Sequence, residues 1–293
     1  MRARQAARRG GCYARPWTKS SPPISTGFGA QRLAYDAATH AATDARPGTT
    51  ELELVARIEA ALGARGVRRW FHPTFAWFGE RSRFEGPEEG PRRRFYPSDA
   101  RLKPGMVGIV DVAPIVDGFT GDVSYTFRCA GGDRGDELDR ALAALREIRA
   151  AVPTMIGRGL TMREIYLELD RRFAARGFDT RHVRYPFGVL GHRVDRIAPR
   201  EREPRIAGFG LAAIGQLAGG AVTASLGGIL GRSRLWTRDA DRRLEPGLWS
   251  MEPHLGGSTF GAKFEEILVV ERGRARWLDD DVPHAADYSE PTT

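Results

Sequence analysis

The sequence predicts a single domain folded as two related α/β halves. Three observations carry this. Residues 47–67 can be laid on residues 158–178 without a gap, a β-hairpin over 107–127 holds two acidic residues among apolar ones, and three more polar residues each sit beside an apolar strand. At 293 residues the chain is long enough for one large domain or two small ones, and its hydrophobic content of 41% is ordinary for a globular enzyme.

The chain opens M-R-A-R-Q-A-A-R-R-G-G-C-Y-A-R, with no acid and no apolar core, so it is neither a secretory signal nor a membrane span. Residues 1–30 are expected to be a disordered Arg-rich tail or an over-long start, and much of the formal charge of +8 sits there. Elsewhere the arginines are scattered among acids, which argues against a nucleic-acid partner. Cys12 and Cys129 are the only cysteines, too few for a disulfide framework or a cysteine zinc site, and the cytoplasm is the default compartment.

A helix is expected over 31–45, followed by the first copy of the repeat, P-G-T-T-E-L-E-L-V-A-R-I-E-A-A-L-G-A-R-G-V. The second copy reads R-G-L-T-M-R-E-I-Y-L-E-L-D-R-R-F-A-A-R-G-F. Gly48 meets Gly159, Thr50 meets Thr161, Glu53 meets Glu164, and Ala64-Arg65-Gly66 meets Ala175-Arg176-Gly177. Each copy is a capping box, a run of apolar residues at helical spacing and a glycine stop. An extended, aromatic-rich run follows each, over 67–78 and 182–194.

The hairpin V-G-I-V-D-V-A-P-I-V-D-G-F-T-G-D-V-S-Y-T-F turns at Asp117-Gly118, a dipeptide suited to positive φ. Asp111 lies six residues before the turn and Asp122 four after it, so a one-residue bulge is expected to bring both onto one face. An ionised carboxylate in an apolar strand costs several kcal/mol unless something pairs with it, and two hard oxygen ligands that close suit a divalent metal. The plainer alternative is a turn Asp and a strand-end Asp.

Residues 85–94 read as a charged loop and 135–151 as an outer helix. Residues 206–231 carry no charge but are too rich in Gly and Ala for a membrane span; a helical insertion or lid is expected, with no stable membrane insertion. Strands are expected over 248–251 and 265–271, joined by a loop around Gly256-Gly257, and residues 285–293 form a disordered tail. His192 ends an apolar run, Glu252 follows a strand and Glu265 starts one. Singly each has an ordinary structural account; the order Asp, Asp, His, Glu, Glu beside apolar strands is harder to dismiss.

That ordered set resembles the M24 metallopeptidases: methionine aminopeptidases, Xaa-Pro aminopeptidases, prolidases and creatinase. The matching motifs are L-K-P-G-M-V-G-I-V-D-V with Asp111, D-G-F-T-G-D-V-S-Y-T-F with Asp122, G-H with His192, M-E-P with Glu252 and K-F-E-E-I-L-V-V with Glu265. The resemblance covers about residues 33–278. It implies an α+β pita-bread fold, two pseudo-symmetric α/β halves around a curved antiparallel sheet, so that residues 31–284 form the catalytic domain with 206–231 as an insertion. It further implies two divalent ions (Mn, Co, Fe or Zn), with Asp111 on one, Asp122 and Glu265 bridging, and His192 and Glu252 on the other. Glu252 is then the proton acceptor and donor for a metal-bridging hydroxide. His72, in W-F-H-P-T-F-A-W-F-G, falls where the family places a His that contacts substrate. Its neighbours Trp70, Phe71, Phe75 and Trp77 read either as the walls of a hydrophobic specificity pocket or as core.

One departure stands out. Family members carry a second His shortly after G-H, whereas G-H-R-V-D-R-I-A-P-R-E has Pro199 near that place; His254 is a candidate substitute. The leading expectation is a dinuclear hydrolase that removes an N-terminal residue from a peptide with a free N-terminus, on the Xaa-Pro aminopeptidase-like branch. A methionine aminopeptidase, a small-amide hydrolase and a catalytically silent M24-like binding protein are the alternatives. The assembly is left open between a monomer and a homodimer.

Overall fold

A computed structural model describes residues 27–85, 95–132, 135–198, 204–211, 213–216 and 234–286. The first half comprises helices α1 (Gly27–Asp44) and α2 (Glu51–Ala64), strands β1 (Phe75–Phe78) and β2 (Val107–Val112), the short pair β3 (Ile115–Val116) and β4 (Phe119–Thr120), and β5 (Val123–Arg128). The second begins with α3 (Glu137–Gly157) and α4 (Met162–Ala175), then β6 (Asp179–Thr180) and β7 (Gly191–Val194). It continues through β8 (Arg205–Ile206), β9 (Phe209–Gly210), β10 (Leu235–Trp236) and β11 (Gly247–Met251). The hairpin β12 (His254–Gly256) and β13 (Gly261–Lys263) follows, then β14 (Glu266–Glu271), β15 (Arg274–Trp277) and α5 (Pro283–Ala286).

The repeat is a repeat in space. α2 and α4 start with the same reciprocal cap: Glu53 N donates to Thr50 Oγ1 at 3.0 Å and Thr50 N to Glu53 Oε2 at 2.9 Å, with 3.2 and 2.7 Å for Thr161 and Glu164. Both helices stop before a glycine in the left-handed region, Gly66 at φ +89° and Gly177 at +78°. Three antiparallel strands follow in each half, in order β1-β2-β5 and, within a five-stranded sheet, β7-β11-β14. Each sheet packs on its own helices. Leu54, Ile58 and Leu62 of α2 share a core with Val110, Val123 and Tyr125, while Ile165, Leu169 and Phe173 of α4 share another with Trp249 and Leu268.

The two sheets meet at the site. Ser124 of β5 bridges to Glu265, just before β14, with Ser124 N donating to Glu265 O at 3.4 Å. Across the hairpin, Asp111 pairs with Ser124, Val112 with Val123, Ile115 with Thr120 and Val116 with Phe119, so one register runs from end to end. The expected bulge is therefore absent. Asp122 is two residues from Ser124, the cross-strand partner of Asp111, and the two-residue side-chain period puts both carboxylates on one face without it. Asp117 (φ +50°) and Gly118 (φ +81°) form the two-residue turn that the dipeptide predicts. At Gly121 a Cβ would lie 2.2 Å from Ala30 O, so the absence of a side chain lets α1 cross the hairpin there.

Other expectations shift. α1 begins at Gly27, inside the stretch read as tail, because Ala30 and Gln31 are buried against the sheet and Gln31 Oε1 accepts from Ile267 N at 2.8 Å. α3 runs to Gly157, with Pro153 inside it. Only the ends of the two extended runs are strand, as β1 and β7. The segment over 206–231 starts with the hairpin β8–β9 and continues as the expected helix at residues 211 and 213–216; residues 212 and 217–231 lie outside the described residues, as do 1–26, 86–94 and 287–293. The loop expected around Gly256-Gly257 is the turn of the β12–β13 hairpin. Among the described residues no helix is long and apolar enough to cross a membrane.

Candidate metal centre

All five predicted ligands converge. Asp111 is near the end of β2, Asp122 immediately before β5, His192 in β7, Glu252 just after β11 and Glu265 immediately before β14. Their ligand atoms, with those of His72, form three overlapping triads, His72–Asp111–Asp122, Asp122–His192–Glu265 and Asp111–Glu252–Glu265, each with its atoms within 4.8 Å of one another. Asp111, Asp122, His192 and Glu265 are buried, and all six side chains line one cavity of about 310 Å³.

The donor atoms are held by their surroundings. His192 Nδ1 donates to Arg193 O at 3.2 Å and its Nε2 lies 3.0 Å from Asp122 Oδ2; His72 Nδ1 donates to Pro73 O at 2.7 Å and its Nε2 lies 3.1 Å from Asp122 Oδ1. With both Nδ1 protons committed to main-chain carbonyls, each Nε2 is aimed at the acids. Glu265 is fixed at both oxygens: Ser250 Oγ donates to Oε1 at 2.8 Å and Ser124 Oγ to Oε2 at 3.1 Å.

Lys263 is the residue that sequence reasoning missed. Its buried ammonium donates to Asp111 Oδ2 at 2.9 Å, Glu252 Oε2 at 2.8 Å and Glu265 Oε2 at 3.2 Å. The only signal was a lysine two residues before Glu265 in A-K-F-E-E, on the same strand face, which reads equally well as a stem reaching for solvent. By drawing Asp111 and Glu252 to one cation it groups Glu252 with Asp111, where the resemblance had paired Glu252 with His192.

The electrostatics follow from burial and crowding. Burial, with repulsion from Asp122 and Glu252, pushes Glu265 well above the usual carboxylate range, and burial raises Glu252 against the opposing pull of Lys263. Asp122 goes the other way: burial works against it, but hydrogen bonds from His192 and His72 hold it well below its ordinary value. Burial likewise opposes charge on His72, yet Asp111 and Asp122 raise it well above an ordinary imidazole.

The residues fit a divalent ion. Four carboxylates and oriented imidazoles are hard and borderline donors of the kind such ions take. Asp111 Oδ1 is buried with no hydrogen bond among the described residues; His72 Nε2 comes to 3.3 Å of it with its proton directed at Asp122. That oxygen is available to a cation.

A model of metallopeptidase family M24 matches residues 29–272. The chain belongs to this family. Among solved structures, the M24 chain is similar to X-Pro aminopeptidase from Thermotoga maritima MSB8, with 17% identity and a TM-score of 0.59 over 85% of this chain and 58% of that one. It is also similar to methionine aminopeptidase from Rickettsia prowazekii, with 14% identity and a TM-score of 0.55 over 85% of this chain and 93% of that one. The fold is thus the expected pita-bread fold. Among curated proteins, the putative dipeptidase YkvY of Bacillus subtilis is 34% identical over 82 residues, which are 28% of this chain and 20% of that protein. The chain spans 58% of the length of the X-Pro aminopeptidase it matches.

Two readings specific to this M24 chain can be placed. His254 is fully buried behind the cavity wall, with Tyr185 Oη 2.9 Å from its Nδ1 and the Phe84 ring edge-on at 5.1 Å. It touches the site through Tyr185, whose ring lies 5.1 Å from Lys263 Nζ. Of the four aromatic residues around His72, Phe71, Phe75 and Trp77 line the cavity and Trp70 does not. Pro199, near the place where the resemblance leads one to expect a second His, lies outside the described residues.

Proposed function

We propose that the protein is a metal-dependent hydrolase that releases the N-terminal residue of a peptide, of the Xaa-Pro aminopeptidase or dipeptidase kind, and that it works with two divalent ions. The observation that carries this is the convergence of Asp111, Asp122, His192, Glu252 and Glu265 on one cavity wall. Two ions suit the way the acids are shared. Four carboxylates converge there on one ammonium and two imidazoles, and buried charge of that kind needs compensation. Glu265 and Asp122 each belong to two of the triads, which suits residues shared between two ions.

When bound, such ions supply Lewis-acid polarisation of the scissile carbonyl and lower the pKa of water. This chain's own residues do the rest. Glu252, raised by burial and lining the cavity, takes the proton of the attacking water and returns it to the departing amine. Lys263 holds Asp111, Glu252 and Glu265 in place, and Ser124 and Ser250 hold Glu265. His72, anchored through Nδ1 to Pro73 O, lines the cavity where its ring would contact the substrate. Tyr185, fixed by His254, completes the wall beside Lys263.

The test is metal content and hydrolysis on one preparation. After reconstitution with Mn(II) or Co(II), about two equivalents of bound metal and release of the first residue from Xaa-Pro dipeptides, longer Xaa-Pro peptides or Met-Xaa peptides are expected. Less than one equivalent together with no turnover on any of them overturns the proposal.

A further inference from the structure

The cavity has two unlike sides. Around the acids it is charged; away from them, every other described lining residue is aromatic, aliphatic or proline. The aromatic side is an ordered row. The His72 ring stacks on Phe75 at 5.3 Å and 25°, Phe75 stacks on Trp77 at 5.3 Å and 14°, and Tyr96 meets Phe75 edge-on at 5.7 Å. The row starts at the imidazole that touches Asp111 and Asp122 and runs along β1, away from the charge.

A second element reaches the same row. The β8–β9 hairpin, in the segment between His192 and Glu252, places Phe209 on the cavity wall with its ring 6.4 Å from His72. Three contacts hold it there. Tyr96 Oη donates to Ala207 O at 2.7 Å, and the Arg205 guanidinium lies 5.1 Å from the Trp70 ring. Gly208, at φ +83°, lets the hairpin tip lie against Pro73, where a Cβ would come within 2.5 Å of Cγ. The hairpin is thus clamped to the residues flanking His72.

We propose that Phe209, carried on this clamped hairpin, and the His72–Phe75–Trp77 row together form a subsite selecting substrates with an aromatic or large uncharged side chain next to the scissile bond. The inference rests on the hydrolytic reading above. A flat ring entering the cavity meets π faces and edges that favour offset or edge-on contact. A charged side chain meets no partner among the described residues outside the metal cluster, and its desolvation goes uncompensated. A cavity of this size is within the range that holds a small ligand.

The test uses the full chain and two readouts. The first is calorimetric binding of phenylalanine amide, alanine amide and lysine amide to the metal-free protein; the second is kcat/KM on Phe-Pro, Ala-Pro and Lys-Pro peptides after Mn(II) reconstitution. The aromatic ligand is expected to bind about ten-fold tighter than the alanine one, and Phe209→Ala is expected to remove most of that ratio. Phe209→Leu, which keeps apolar bulk on the hairpin, retains an intermediate ratio and guards against a folding artefact, with melting curves as a control. Equal binding of the three amides, or a phenylalanine-to-alanine ratio unchanged in Phe209→Ala, overturns the subsite. Phe209-dependent aromatic binding without hydrolysis of any peptide leaves the subsite standing and removes the proposed activity; hydrolysis without side-chain preference does the reverse.

Discussion

The two halves of the molecule share one plan and spend it differently. Each supplies one imidazole, His72 ahead of β1 and His192 in β7; one acid at the end of its middle strand, Asp111 and Glu252; and one acid immediately before its third strand, Asp122 and Glu265. The last pair comes together where the sheets meet, and its members are the two proposed to be shared between ions. Beyond these matched positions the halves diverge. The first carries the aromatic row of β1, whereas the second carries Lys263, two residues before Glu265, where the first half has Thr120 two residues before Asp122. A duplicated scaffold can hold a symmetric set of ligands and still separate a wall for substrate from a cation that steadies charge.

Breaking the matched pair should have the largest effect. Asp122→Asn and Glu265→Gln are each expected to lower peptide turnover by more than about 100-fold with the fold intact, as read by kinetics alongside far-UV circular dichroism. Normal turnover in either variant would show that the halves do not share the site as described.

Lys263→Met tests the asymmetry. Removing one partner from a buried ionic cluster costs about 3–5 kcal/mol, so denaturant unfolding of the metal-free variant should show a loss of that order. Added Mn(II) should recover more stability in the variant than in the parent, because the ion then takes over the charge that the ammonium balanced. An unchanged metal-free midpoint would mean that Lys263 does not balance the acids.

His182 offers a finer probe. Four residues after the matched Val67 and Phe178, the first half has Phe71 and the second has His182, whose pKa burial lowers to about 3. The unfolded chain protonates this imidazole near its ordinary value while the folded chain does not. The unfolded state therefore binds more protons between about pH 6.5 and 3, so stability falls as pH falls through that window. About 2 kcal/mol should be lost between pH 7 and pH 5 from this group alone. His182→Phe, which imports the first half's residue, should flatten that part of the stability–pH curve, and an identical curve would contradict the assignment.

The smallest effect concerns the repeat itself. Thr50→Ala and Thr161→Ala each remove one capping box and should each cost about 1 kcal/mol, measured by thermal or denaturant unfolding. The more buried Thr50 sets the upper end. A large imbalance would mean that tertiary contacts, not the shared cap, hold one of the two helices.

Much of this was legible along the chain because the signals are local. A Thr with a Glu three residues on and a later Gly states where a helix begins and ends, and Asp117-Gly118 states a turn. The acids stood out because a carboxylate beside Val and Ile needs a partner wherever the strand is buried. Lys263 did not stand out, because a lysine near a strand end gives the same pattern whether its ammonium reaches water or three carboxylates. His254 was a candidate from its spacing to Glu252 alone, and that spacing says nothing of Tyr185, which lines the cavity in front of it.

By itself the sequence determined the two halves, their caps, the hairpin turn and the five candidate ligands, since each depends on residues near one another or on an ordered set of motifs. Only the tertiary structure decided that Lys263 sits among Asp111, Glu252 and Glu265, that Asp122 joins Asp111 on one face without a bulge, and that Phe209 meets His72. Those are contacts between segments far apart in the chain, and burial, charge pairing and packing select them only once both sheets are assembled.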